Sequence, residues 1–208
     1  SKRRTVEAVN GVSFEIGESE ILGLIGESGC GKSATCRSLM RLIEPPGEIV
    51  AGQVLFKGQD VLTMGKEHVR KLRGSEISMV FQEPTSALNP VLTIGKQVGE
   101  PLRVHEGYSK AAARDRAIEL MELVGIPSPE LRVDDYPHEF SGGMAQRAVI
   151  AMALACEPDL LIADEPTTNL DVTIEAQILE LLEELKEDLD MSVLMVTHDL
   201  GVAANVCD

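Results

Sequence analysis

One stretch restricts this chain more than any other: Gly26-Glu27-Ser28-Gly29-Cys30-Gly31-Lys32-Ser33. It follows a short apolar run, Ile21 to Ile25, and opens a helical pattern that reaches about Ile43. Strand, glycine-rich turn and helix in that order form the setting of a phosphate-binding loop. Gly26, Gly29 and Gly31 can take backbone angles that side chains forbid, so successive N–H groups can converge on an anion. The first turn of the helix adds unpaired N–H groups and a positive dipole end. Lys32 would set its ammonium on the outer phosphates, and Ser33 would offer a hydroxyl to Mg²⁺.

The remainder alternates strand and helix signals. Val12 to Ile16 reads as a strand, and Ile21 to Ile25 as a strand buried on both faces. Cys36, Leu39, Met40 and Ile43 give the first helix a core face, and Pro45, Pro46 and Gly47 stop it. Gln53 to Phe56 is β-rich before a Lys57-Gly58 turn. Lys66 to Arg73 is a short basic helix, and Ile77 to Phe81 a third buried strand. Gln82 to Pro90 is full of turn formers and reads as a loop. Ser109 is the expected N-cap, and Gly125 the stop, of a helix burying Ala113, Ala117, Leu120, Met121 and Val124. The stretch of about 84–136 is expected to be an inserted helical subdomain between two parts of a core, 1–83 and 137–208. A helix from Met144 to Ala155, a strand from Leu160 to Ala163, a helix capped by Asp171 and a strand from Ser192 to Val196 complete the pattern. The expected fold is α/β: a mostly parallel sheet with its ligand at the strands' carboxyl ends and a small N-terminal antiparallel part.

Composition narrows the partners. A net charge of −15 over 208 residues argues against nucleic acid. The longest apolar run, Ala148 to Cys156, is far short of the roughly 18 residues of a membrane span. Cys30, Cys36, Cys156 and Cys207 show no C-x-x-C pairing and are expected to be reduced thiols in a cytosolic protein.

Several strands end on polar groups. Asp164 suits a Mg²⁺ shell. Glu165, pointing the other way, could take a proton from a water attacking a terminal phosphate. His198 could donate to that phosphate and hold the water or Glu165 in line. Gln82 could touch the metal or the water. Ser141-Gly142-Gly143 forms a second anion site in outline, a hydroxyl and two flexible residues at a helix N-terminus. A second copy of the chain could bring it across to cap the nucleotide, in a head-to-tail dimer with C₂ symmetry.

In order, these motifs resemble those of the ATP-binding cassette family. Gly26 to Ser33 looks like Walker A, Gln82 like the Q-loop and Phe140 to Arg147 (F-S-G-G-M-A-Q-R) like the signature. Leu160 to Glu165 looks like Walker B, Thr168 to Asp171 (T-N-L-D) like the D-loop and His198 like the switch histidine. The strings V-F-Q-E-P-T-S-A-L-N-P, Y-P-H-E-F-S-G-G-M and L-I-A-D-E-P-T-T-N-L-D-V-T resemble the ATPase subunits of dipeptide, oligopeptide and nickel importers. The resemblance implies ATP and Mg²⁺ as ligands. ATP would be held by Gly26, Glu27, Ser28, Gly29, Cys30, Gly31, Lys32, Ser33 and Ala34, and from the other copy by Ser141, Gly142, Gly143, Gln146 and Asp171. Ser33, Gln82 and Asp164 would serve the metal; Glu165, His198 and Gln82 would serve catalysis. It further implies a second ATPase subunit, two membrane permease subunits and an extracytoplasmic binding protein. The place would be the inner face of the membrane, with coupling through the helical subdomain and the loop after Gln82.

Three positions depart from the pattern: Phe140 for the usual leucine, Ala145 for arginine, and Asn169 for a small D-loop residue. Both ends are expected to be truncated. The family's adenine-stacking aromatic would precede Ser1, its last strands would follow Asp208, and no iron–sulfur cluster is expected. A cassette protein of translation or DNA repair, and a regulator that no longer turns over, are the alternatives. The acidic charge and the single cassette count against the first. The joint presence of Lys32, Asp164, Glu165 and His198 counts against the second.

Overall fold

The computed structural model describes residues 6–208. Strand β1 (Ile21–Ile25) runs through the glycine-rich loop into α1 (Lys32–Leu39). A small antiparallel hairpin, β2 (Leu55–Phe56) and β3 (Gln59–Asp60), precedes α2 (Lys66–Ser75) and β4 (Ile77–Val80). Five helices follow: α3 (Pro84–Ala87), α4 (Ile94–Val98), α5 (Glu100–His105), α6 (Lys110–Leu123) and α7 (Pro129–Arg132). The chain then forms α8 (Gly142–Leu154), β5 (Leu160–Asp164), α9 (Val172–Asp188), β6 (Ser192–Thr197) and α10 (Leu200–Val206).

The main sheet has the order β1-β6-β5-β4, every pair parallel. All four carboxyl ends therefore lie on one side, where an open α/β sheet presents its ligand site. The register sets Ile25 beside Thr197 and Asp164 beside Val196, so the polar strand ends meet. Helices cover both faces, which is why β5 and β6 are apolar almost throughout. Leu161, Ala163, Val193 and Met195 pack with α8 and α9 in one cluster. Ile162, Leu194 and Val196, alternating with them, pack with Cys36, Met40, Leu72 and Ile77 in the other. Helices α4 to α6 join the first cluster through Ile94, Val98, Leu102, Ala117 and Leu120.

Ser109 caps α6 by accepting from Ala112 N–H, and all five residues expected on that helix's inner face are buried. Three expectations need correction. Val12 to Ile16 is not a strand; its backbone pairs with no ladder, although Phe14 and Ile16 pack on the second cluster. The stretch from Gln82 to Pro90 is not all loop, because Pro84 starts a helical turn that closes with Leu88 N–H on its carbonyl and buries Leu88. Helix α1 ends at Leu39, short of Ile43. There Arg41 takes φ +52° and Leu42 N–H reaches back to the Arg37 carbonyl, a left-handed C-terminal cap on a residue other than glycine.

Candidate active site

The loop between β1 and α1 closes on itself. Gly31 has φ +105°, and a Cβ there would stand 2.3 Å from the Ala8 carbonyl oxygen. A Cβ on Gly26 would stand 2.6 Å from Cys30 Sγ. Gly31, with its left-handed angle and a backbone oxygen in the way, admits only glycine, whereas at Gly26 the exposed Cys30 side chain could turn aside. The Lys32 ammonium lies within the curve, donating to the Gly26 carbonyl at 2.7 Å and the Glu27 carbonyl at 3.1 Å. It is also 3.7 Å from Glu165 Oε1. Ser28, Gly29 and Cys30 form the exposed rim, and Ala34 lies in the first turn of α1.

Ser33, one position on, donates its hydroxyl to Asp164 Oδ1 at 3.2 Å. Asp164 is buried at the end of β5, and burial pushes its carboxyl above the ordinary range. The Ser33 bond pulls it back down and the charge of Glu165 pushes it up. A buried carboxylate beside a hydroxyl is a hard oxygen pair that fits Mg²⁺, which takes one or two carboxylates with the rest from phosphate and water. Among the described residues no group of three or more His, Cys, Asp or Glu could hold a metal ion.

Glu165 is the meeting point. It takes φ +49°, and its N–H donates to the Val196 carbonyl at 3.0 Å, which turns the side chain across the ends of β5 and β6. Its Oε2 accepts from Gln82 Nε2 at 3.1 Å and from Thr168 Oγ1 at 3.0 Å. His198 Nδ1 is 3.4 Å from the same oxygen. A cleft of about 210 Å³ opens here, lined by Glu165, Thr168, Asn169, Thr197, His198 and Asp199 among others. Thr168, named from the sequence only as the start of the T-N-L-D stretch and given no role there, also contacts Glu165. Its one local signal is its place three residues after Glu165, where its N–H closes a turn on the Glu165 carbonyl at 3.2 Å.

The second anion group stands apart within one chain. Ser141 caps α8 by accepting from Met144 N–H at 3.3 Å. Gly142 and Gly143 lie against Leu170 and Ile174. Asp171 spends its carboxylate on Thr173 N–H and Ile174 N–H, capping α9. Gln146 is 1% exposed and its Nε2 has no hydrogen-bond partner. It therefore points into the core rather than to the surface that an opposing molecule would meet. Among the described residues no hydrogen bond joins this group to the glycine-rich loop. Lys32, Ser33, Gln82, Asp164, Glu165 and His198 are gathered; Ser141, Gly142, Gly143, Gln146 and Asp171 are not.

The family model described as ABC transporter matches residues 9–168. The chain belongs to the ABC transporter family. Similar curated relatives include the oligopeptide transport ATP-binding protein OppD of Bacillus subtilis (strain 168), 55% identical over 204 residues and covering 98% of this chain and 57% of the relative. The dipeptide transport ATP-binding protein DppD of the same organism is 55% identical over 205 residues, covering 98% and 61%. The chain thus spans about three fifths of the length of these relatives. Among solved structures, the dimeric ATP-binding cassette MJ0796 in a post-hydrolysis state bound to ADP and Pi superposes with a TM-score of 0.82 at 32% identity, covering 94% of this chain and 82% of that one. The α/β cassette fold follows from the family match and the superposition together.

Proposed function

We propose that this ABC transporter family chain binds ATP in the loop of Gly26 to Ala34 and hydrolyses it to drive import through membrane permease subunits. The observation that carries the proposal is the convergence of Lys32, Gln82, Thr168 and His198 on Glu165, beside the Ser33–Asp164 pair. Lys32 and the loop amides grip the triphosphate. Mg²⁺ at Ser33 and Asp164, with Gln82 at its edge, would neutralise charge on the phosphate oxygens. Glu165 takes a proton from water as the new P–O bond forms and the bond to the ADP oxygen breaks. Gln82, Thr168 and His198 fix the carboxylate in line.

The similarity to oligopeptide and dipeptide transport proteins supports peptides as the cargo. A second ATPase subunit would bring Ser141, Gly142, Gly143 and Asp171 over the nucleotide, as the dimeric state of the MJ0796 cassette supports. Gln146 joins them only if it turns out of the core. The permease would rest on the helical insertion of about 84–136, which puts the chain at the inner face of the membrane, fed by an extracytoplasmic binding protein. No described helix is long and apolar enough to cross a membrane itself.

Titrating Lys32→Ala with fluorescent ATP tests the loop assignment. Removing a charge-assisted contact of roughly 1.5–3 kcal/mol predicts at least about tenfold weaker binding. Unchanged affinity would place the nucleotide elsewhere.

A further inference from the structure

The starts of α8 and α9 touch within one chain, and the contact falls on the two glycines that the proposed function lends to another subunit's nucleotide. A Cβ on Gly143 would stand 2.8 Å from Ile174 Cγ2, and one on Gly142 would stand 3.7 Å from Leu170 Cδ2. Glycine is a weak helix former. At Gly143 nothing larger fits unless Ile174 moves.

The amides of this turn are divided. Met144 N–H is taken by Ser141 Oγ at 3.3 Å and Ala145 N–H by the Ser141 carbonyl at 2.8 Å. Gly142 and Gly143 N–H, at the first two positions of the helix, have no acceptor within it and stay available to an anion. Where they aim depends on how this one turn of backbone is seated, and Ile174 is the side chain pressed against it.

Ile174 is itself held. Its N–H is taken by Asp171 Oδ1 at 3.0 Å, which fixes the backbone in the first turn of α9. Thr167 Oγ1 donates to Glu175 Oε1 at 2.6 Å, tying the next residue of the same turn back to the loop that leaves β5. An isoleucine in a helix keeps essentially one χ1 rotamer, so a fixed backbone also fixes Cγ2. Phe140, Met144, Leu170 and Ile174 all pack, half-buried, on the first core cluster.

We propose that Ile174 is a positioning residue: it seats the first turn of α8 so that Ser141, Gly142 and Gly143 meet the terminal phosphate held by the other subunit. The inference rests on the proposed dimer and adds a direction to it. Ile174 serves the nucleotide of the opposite chain, not that of its own. The competing route runs within the chain, from Ile174 along the turn to Thr168 and Glu165.

Two measurements test this. The first needs no second subunit and follows the amide NMR signals of Gly142 and Gly143. Ile174→Ala removes Cγ1, Cγ2 and Cδ1, the three atoms that face Gly143, and should shift both signals. Ile174→Val keeps the γ carbons and should leave the signals near their places in the unaltered chain. The second uses mixed dimers of two differently tagged chains. With Lys32→Ala on one chain and Ile174→Ala on the other, one site keeps both an intact loop and an intact seat. With both substitutions on one chain and an unaltered partner, neither site does. The expected result is that the first arrangement hydrolyses saturating Mg-ATP about tenfold faster than the second, the difference lying in kcat rather than KM. Using Ile174→Val in place of Ile174→Ala should bring the second arrangement up to the first. Unmoved glycine signals, equal rates in the two arrangements, or a faster second arrangement overturns the proposal. A Lys32→Ala homodimer that still binds ATP would instead count against the nucleotide assignment, which the glycine signals do not depend on.

Discussion

Two side chains at the end of β5 face opposite electrostatic problems. Asp164 is buried and its carboxyl ionises above the ordinary value of 3.8. The folded chain therefore holds that proton more tightly than the unfolded chain. From 3.8 up to the raised folded value, stability falls as pH rises, and at neutral pH the ionised group is a cost. Asp164→Asn should raise the melting midpoint at pH 7 and flatten the gain seen on acidification. A midpoint that drops at pH 7, followed by calorimetry, would contradict the placement of this charge. Glu165 is instead steered by its neighbours. Thr168 gives Oε2 one of its two recorded hydrogen bonds, so Thr168→Val should lower kcat several-fold with little change in KM, and Thr168→Ser should restore it. A loss that Ser does not repair would mean that packing, not the hydroxyl, matters there. Lys32, Ser33, Asp164 and Glu165 were legible in the chain because each sits at a fixed step from an apolar strand. Thr168 was not, because its partner is set by a left-handed turn at Glu165 that no local residue type demands.

Elements carry these groups only while their ends are held. Helix α9 begins on Asp171, whose carboxylate takes two N–H groups. Resemblance gives the same residue a nucleotide across a dimer. The two roles separate by substitution: Asp171→Ala should cost about 1 kcal/mol, read in denaturant titration, and Asp171→Ser should restore most of it. Full stability in the Ala variant would show that the cap is idle. Strands β5 and β6 were legible because sheets covered on both faces need unbroken apolar runs. Their residues do alternate between the two core clusters. The segment from Val12 to Ile16 shows the limit of such reading: its composition suits a strand, but pairing depends on a neighbour that composition does not reveal. The early end of α1 is a similar case, since Arg41 rather than a glycine takes the left-handed cap. That cap sends the Arg41 side chain to the Val61 and Met64 carbonyls, a contact of which patterning alone gave no hint.

At the scale of the molecule, the proposed function divides the site into two halves that one chain does not join. The loop, the Ser33–Asp164 pair and Glu165 would form one half; the amino end of α8 and the start of α9 would form the other. The superposition on a dimeric cassette supports a second chain as the link. Binding would then close the pair and hydrolysis reopen it, with the nucleotide as the ligand that favours the closed state. Glu165→Gln keeps the shape and the hydrogen bonds while removing the base. The decisive measurement is phosphate release by Glu165→Gln at saturating Mg-ATP, with bound nucleotide and molecular mass recorded on the same sample. The expected result is full nucleotide occupancy, a stable dimer and phosphate release at least about 100-fold slower than the unaltered chain. Release at the unaltered rate would contradict the assignment of Glu165 and the site built around it.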